Sequence, residues 1–357
     1  MRVAIVGLGW AGRSIWLPRL GAHPGFDPVA AVDPDPAIRA AVAGELPGVA
    51  VLGSPDELTR ANADLVVVAV PNHLHADVGA GLLARGLPVF LEKPVCLSLA
   101  EADRLAAAER SGDAVLLAGS AARHRADIRE LGAAVAELGE VRHVDVSWVR
   151  ARGIPRAGGW FTRRDLAGGG AMVDLGWHLL DTLVPLLGDP RFIQVTGTLS
   201  DDFLHEQQWS AAWRADQPAA AGPRDVEDTA RAFLVSDCGV SVALRASWAS
   251  HQALDTTVVT VEAAGGTATL RCTFGFSPNR PGGSTLLVAR SGATISVPIP
   301  DEPIGAEYVR QLDTLPAALA DPRAHGAAAA EARRTIGVIE EFYESAHRFR
   351  SLAPAGH

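Results

Sequence analysis

Lysine is almost absent: of 357 residues only Lys93 is lysine, against thirty-one arginines. Cysteine is scarce too. Cys96, Cys238 and Cys272 are odd in number, far apart and in no metal-ligand pattern, so neither a disulfide framework nor a zinc spacing is expected, and no metal is implied. No dense basic run exists and the formal charge is -9, which argues against a nucleic-acid partner, since binding a phosphate backbone needs a basic face. Long apolar runs are missing as well: Leu65–Val70 suits a buried strand but falls far short of a bilayer crossing. The opening MRVAIVGLGW is too short for a secretory signal, and a cytoplasmic protein with reduced thiols is expected.

What remains has the length for two domains and the ordinary apolar and charged content of a globular chain. From residue 3 to about 120, short β-branched runs alternate with helix-length segments: Val3–Val6, Val29–Val32, Val49–Leu52, Leu65–Val70, Val89–Leu91 and Ala114–Ala118, with helical spacing over Leu74–Arg85 and Leu99–Arg110. Runs that are apolar on both faces and separated by helices require a parallel sheet covered on two sides. Residues 1–120 therefore read as a doubly wound α/β domain.

Gly7-Leu8-Gly9-Trp10-Ala11-Gly12 follows the first strand and opens the first helix. Alone, GxGxxG is a weak signal. In this context the first glycine serves a tight turn, the second lets backbone approach a pyrophosphate, and the third lets helix and strand pack. Asp33 ends the second strand about twenty residues on, where an acid binds the adenosine ribose hydroxyls. Its neighbours Pro34, Asp35 and Pro36 would set carboxylates rather than an arginine against a 2′-phosphate, the nearest downstream cation being Arg39, so NAD is expected over NADP. Ligands of open parallel sheets collect beyond the carboxyl ends of the strands. Gly7, Asp33, the turn Val70-Pro71-Asn72-His73-Leu74-His75, and Glu92-Lys93 all fall there. Codon avoidance alone can leave one lysine. An ammonium, however, is a compact donor with a movable pKa, unlike guanidinium, and Pro94 holds Lys93 out of the helical region.

Residues 121–357 lose the regular alternation. Val141–Val149, Ile193–Leu199, Ala230–Ser236, Val240–Trp248, Thr256–Ala263, Thr267–Cys272, Ser284–Ala289 and Thr294–Ile299 read as strands of a large, mostly antiparallel, open-faced sheet in an α+β domain. Residues 214–224 read as an exposed loop. Tyr308–Leu319 and Ala327–Phe349 look helical, the second expected to pack back on the first domain. After Gly168-Gly169-Gly170, helical spacing puts Asp174, His178 and Asp181 on one narrow face. Leu175, Trp177, Leu179, Leu180, Leu183 and Val184 cover most of the rest, so the helix reads as buried and its polar groups need partners or a cleft. A solvated stripe and an internal histidine-aspartate bond fit the same spacing. Pro185 leaves the Asp181 carbonyl without its helical donor, which suits a structural Asp181.

Taken in order, the GxGxxG domain, the Pro-Asn turn with its histidine, Glu92-Lys93-Pro94, and the Gly-Gly-Gly segment leading to Asp174 and His178 resemble the glucose-fructose oxidoreductase and inositol dehydrogenase family. Val226-Glu227-Asp228-Thr229-Ala230 and Ala246-Ser247-Trp248-Ala249-Ser250 are similar to its sheet domain, so the resemblance spans nearly the whole chain. It implies that Lys93, Asp174 and His178 line the substrate pocket beside the nicotinamide, that Asn72, His75 and Glu92 lie at the cofactor, and that Trp160 and Arg123 are candidate substrate contacts.

The implied activity is NAD-dependent oxidation of a secondary ring hydroxyl of a sugar, aminosugar or cyclitol. An imidazole has the ordinary pKa for exchanging a proton near neutrality, which suits His178; Lys93 can donate to a developing alkoxide, and Asp174 can orient either, although any of the three can hold the proton first. Trp148, Trp160, Trp177, Trp209 and Trp213 offer faces for sugar stacking, and Asp201, Asp202 and Glu206 suit an amino-substituted substrate such as an aminoglycoside. The open sheet face implies a homodimer or homotetramer. Two other readings stay open: reduction of a nucleotide-linked ketosugar with NADPH, and a catalytically inactive NAD-binding sensor or scaffold.

Overall fold

The structure, a computed structural model, describes residues 1–155, 159–211 and 222–352. Trp213 and residues 214–221 lie outside the described residues. The chain divides into two compact units: Met1–Ala121 together with Tyr308–Ile336, and Ala122–Glu307 together with Gly337 onward.

The first unit is built on six parallel strands, β1 (Arg2–Val6), β2 (Asp27–Val32), β3 (Ala50–Leu52), β4 (Leu65–Val68), β5 (Val89–Leu91) and β6 (Leu116–Ala118), in the order β3-β2-β1-β4-β5-β6. This is the doubly wound order, with its reversal at β1. All four residues of β4 and all three of β5 are buried, as a sheet covered on both faces requires. The returning segment completes this unit. Tyr308 packs edge-on against the fully buried Trp16 at 5.5 Å, and Gln311 Nε2 donates to the Ala118 carbonyl at 2.9 Å.

Among the described residues the second unit carries eight strands: β7 (Val141–Val149), β8 (Phe192–Ser200), β9 (Thr229–Ser236), β10 (Ser241–Ser247), β11 (Thr256–Ala263), β12 (Gly266–Cys272), β13 (Thr285–Arg290) and β14 (Ala293–Val297). Their order is β14-β13-β12-β11-β7-β10-β9-β8, antiparallel throughout except where β10 runs parallel to β7. Val242, Leu244 and Ala246 of β10 are buried while Ser241, Ala243 and Arg245 are half-buried. One face therefore meets the core and the other is open.

Candidate active site

The glycine loop divides its labour among three positions. Gly7 has φ +93, and a Cβ there would stand 2.6 Å from the Ala69 carbonyl oxygen. At Gly12 a Cβ would collide with the Gly7 carbonyl, whereas at Gly9 it would meet nothing within 4 Å. Gly7 and Gly12 thus serve the fold, and exposed Gly9 leaves the open approach that a pyrophosphate needs. Trp10 and half-buried Ala11 lead into a π-helical turn, Ala11–Trp16, a form often found at functional sites.

Asp33 is buried at the end of β2. Its Oδ2 accepts from the Leu8 amide and its Oδ1 from the Asp35 amide, both at 2.9 Å, and a carboxylate retains further lone pairs for ribose hydroxyls. The arginine expected to stand away from this acid does not. Arg39 Nη1 donates to the Asp33 and Pro34 carbonyls, each at 2.8 Å, because the helix Pro36–Ala43, capped by Asp35, turns residue 39 back over the strand end. Any discrimination against a 2′-phosphate at this strand end would therefore fall to the carboxylates of Asp33 and its neighbour Asp35.

Val70 and Pro71 are half-buried at the end of β4, and Asn72 is buried where a short 3-10 turn, Asn72–Leu74, begins. Lys93 is half-buried, and the Lys93–Pro94 peptide is cis. The neighbouring Glu92 accepts from the Trp16 indole at 2.6 Å and from the Lys93 amide at 3.0 Å. Burial pushes its carboxyl above the usual range, against the opposing pull of Lys93. His75 is 1% exposed, with Nδ1 2.6 Å from the Pro94 oxygen and Nε2 2.8 Å from the Val70 oxygen.

Burial lowers the His75 pKa to about 4, outweighing the two carbonyl acceptors, with Lys93 and His73 adding repulsion. The folded ring thus protonates later than the unfolded one as pH falls. Stability from the neutral ring is complete above about pH 6.5 and is lost toward pH 4, by about 3 kcal/mol. Chemical denaturation across that window is expected to show this slope in the native protein and a flatter one in His75→Gln; equal slopes would exclude His75 as the source.

In the second unit the three glycines before Asp174 are each explained. Gly168 ends the helix Arg164–Ala167 at φ +81, a left-handed cap. A Cβ at Gly169 would collide with the Tyr343 hydroxyl, and at Gly170 with the Glu227 backbone carbonyl. Glu227, 1% exposed, accepts from the Gly170 and Met172 amides and, at 2.7 Å, from the Tyr343 hydroxyl. It thereby satisfies amides that the start of a helix leaves without carbonyl partners. Burial raises the Glu227 carboxyl, and burial with the adjacent Glu227 drives the Tyr343 phenol well up.

The helix opens with a π turn, Met172–Gly176, and continues as Trp177–Leu186. Asp174 is buried and its Oδ2 accepts from the Trp248 indole at 2.9 Å. Asp181 is buried too: its Oδ1 accepts from Arg123 Nη2 at 2.7 Å and its carbonyl from Arg123 Nε at 2.8 Å, so the bond that Pro185 cannot supply comes from this guanidinium. A solvated stripe is excluded, since both acids are buried. From Ala171 to Val184 only His178 is not fully buried, its ring lying against Trp148 at 5.6 Å. Trp160 is half-buried and stacks on Phe161 at 3.9 Å. Trp148 and Trp177 are buried, and Asp201, Asp202 and Glu206 are exposed.

Glu227, Trp248, Tyr343 and Trp16 were not assigned individual roles from sequence. The first two lie in the segments similar to a known sheet domain, but no spacing tied them to Gly170 or Asp174. Among the described residues no group of three His, Cys, Asp or Glu side chains can hold a metal ion, and no helix is long and apolar enough to cross a membrane.

A parallel sheet with a glycine loop and a strand-end acid defines a dinucleotide-binding domain. Residues 1–120 match the oxidoreductase family with an NAD-binding Rossmann fold, and residues 128–271 match the GFO/IDH/MocA C-terminal domain. The chain belongs to the GFO/IDH/MocA oxidoreductase family. It is 58% identical, over 99% of both chains, to a putative UDP-kanosamine synthase oxidoreductase subunit of Amycolatopsis mediterranei. It is 29% identical to the D-glucoside 3-dehydrogenase of Escherichia coli, over 53% of this chain and 55% of that one. Among solved structures, GenD2 from gentamicin A biosynthesis in complex with NAD superposes with a TM-score of 0.76 at 27% identity, covering 98% of this chain and 95% of that one. The chain is an NAD(P)-dependent, sugar-related oxidoreductase with an NAD-binding first unit.

Proposed function

We propose that the protein oxidises a secondary ring hydroxyl of a nucleotide-linked hexose to a ketone, with NAD as acceptor. The observation that carries this is the 58% identity, end to end, with a relative named for making a UDP-linked amino sugar. A ketone is the functional group that amination of a sugar ring consumes, and oxidation of the alcohol supplies it.

Gly7, Gly9, Trp10, Ala11, Gly12, Asp33, Val70, Pro71 and Asn72 would hold the dinucleotide, with Glu92 close behind. Bound NAD supplies the hydride acceptor. His178, half-exposed on a helix that is otherwise buried from Ala171 to Val184, takes the hydroxyl proton. Lys93 donates to the oxygen as negative charge develops, which lowers the barrier to its formation. Asp174, fixed by Trp248, orients the substrate or the imidazole. Trp160 and Arg123 remain candidate substrate contacts, although Arg123 is already engaged by Asp181.

The test is to incubate the protein with NAD and UDP-glucose, in parallel with free sugars, aminosugars, aminoglycosides and cyclitols, and to follow NADH. Reduced cofactor with UDP-glucose supports the reading. Reaction confined to a free aminosugar or cyclitol moves the substrate class, and NADPH consumption on nucleotide-linked ketosugars alone reverses the direction. Cofactor choice has its own test. Because Arg39 already lies on the Asp33 backbone, Asp33→Ser is expected to raise the NADP:NAD ratio of kcat/KM by on the order of 100-fold, through removal of carboxylate-phosphate repulsion. An unchanged ratio would remove Asp33 from cofactor selection.

The open sheet face supports self-association. Arg245 stands directly opposite Arg231, and exposed Phe233 lies beside them, with Asp145 and Glu262 further along the same face. Like charges side by side are unfavourable unless a partner answers them. A second copy related by a two-fold axis sets acids against arginines, so light scattering is expected to give at least a dimer, weakened by Arg245→Glu.

A further inference from the structure

The resemblance set His75 at the cofactor, yet its imidazole is buried to 1% exposure, with both ring nitrogens facing backbone carbonyls of the first unit's own turns. One carbonyl belongs to Val70, which opens the turn after β4. The other belongs to Pro94, directly after Lys93. We propose that His75 is a positioning residue that holds the lysine turn and the Val70–Asn72 turn as one piece, and that it acts through Lys93 rather than by touching the cofactor. The proposal rests on the role given to Lys93 above.

Two further observations point the same way. The Lys93 peptide is gripped on its other side by Glu92, whose second oxygen accepts from Trp16, a residue of the glycine-loop helix. Gly119 leaves little room behind the turn: a Cβ there would stand 3.2 Å from the Glu92 Cα and 3.3 Å from the Lys93 nitrogen. Moreover, a neutral imidazole has one N–H to give, so at any moment the ring donates to one of the two carbonyls, and only the protonated ring donates to both. Carbonyls 24 residues apart in sequence are thereby spaced by one rigid, planar group. Without it, the Lys93 turn loses its tie to the Val70 turn, and a loosely supported reactive group is mispositioned by the freedom of its turn.

Since Lys93 is the only lysine, its reactivity can be read directly whatever the true substrate is. Native protein, His75→Ala and His75→Gln are treated with N-hydroxysuccinimidyl acetate, and peptide mapping separates Lys93 from the N-terminal amine. NAD affinity is measured in parallel by calorimetry. In His75→Ala the Lys93 acylation rate is expected to change by about fivefold or more while NAD affinity stays within about threefold, and His75→Gln, whose amide can hold one carbonyl, falls between. Unchanged acylation in a folded variant overturns the proposal. So does loss of NAD affinity with unchanged acylation, which would make His75 a cofactor contact. If His75→Ala does not fold, His75→Gln decides alone by the same criteria. None of these outcomes depends on NADH formation, so failure of the sugar-oxidation reading remains separately visible.

Discussion

His178→Ala and Lys93→Met are each expected to lower kcat by about 10²–10⁴-fold, the range for losing a positioned proton carrier or a donor to developing charge. The two substitutions are expected to differ with pH. Without His178 the neutral-range limb of the rate profile should disappear, while added external imidazole restores part of the rate. Without Lys93 the profile keeps its shape at a reduced height. NAD affinity should survive both changes. Near-normal turnover in folded Lys93→Met would remove the amine from the chemistry and return the lone lysine to an accident of codon usage. If the two residues serve one reacting carbon, the double variant should lose much less than the product of the single losses, because groups acting as a unit are non-additive.

The second large effect is on folding. Gly170→Ala forces a methyl into the Glu227 backbone carbonyl, which belongs to a buried segment and cannot swing away. About 3 kcal/mol or more of destabilisation is expected, at the upper end for overpacking. Gly169→Ala meets the Tyr343 hydroxyl and a Val173 methyl, which can yield somewhat, and should cost less. At Gly168 the penalty is that of a left-handed cap, about 1 kcal/mol. Thermal denaturation of the three variants reads this order directly. A Gly170→Ala protein melting with the native one would mean that the helix start is not wedged against residue 227.

Much of the architecture was legible because it depends on local pattern. β-Branched runs with turn residues between them marked the fourteen strands of the described residues, and β5, β7 and β11 coincide with their sequence boundaries. The parallel pairing of β7 with β10 was not legible, since periodicity within a strand carries no information about which distant strand lies beside it. Helical spacing put Asp174, His178 and Asp181 on one face, yet the two acids draw their partners from elsewhere in the chain: Trp248 for Asp174, Arg123 for Asp181. Only the Asp181 carbonyl gave warning, through Pro185. The π turns at Ala11–Trp16 and Met172–Gly176 left no mark that spacing could detect. Arg39 was misjudged for a related reason, because distance along the chain says little once a capped helix folds back on its strand.

The first unit takes Tyr308–Ile336 from late in the chain. During synthesis, then, its N-terminal portion emerges long before the segment that shields Trp16 and donates to Ala118. Until residue 308 is made, the nascent dinucleotide portion lacks that cover, and the residues of the second sheet are synthesised in between. A release point shortly before residue 308 would strand it in that unfinished condition.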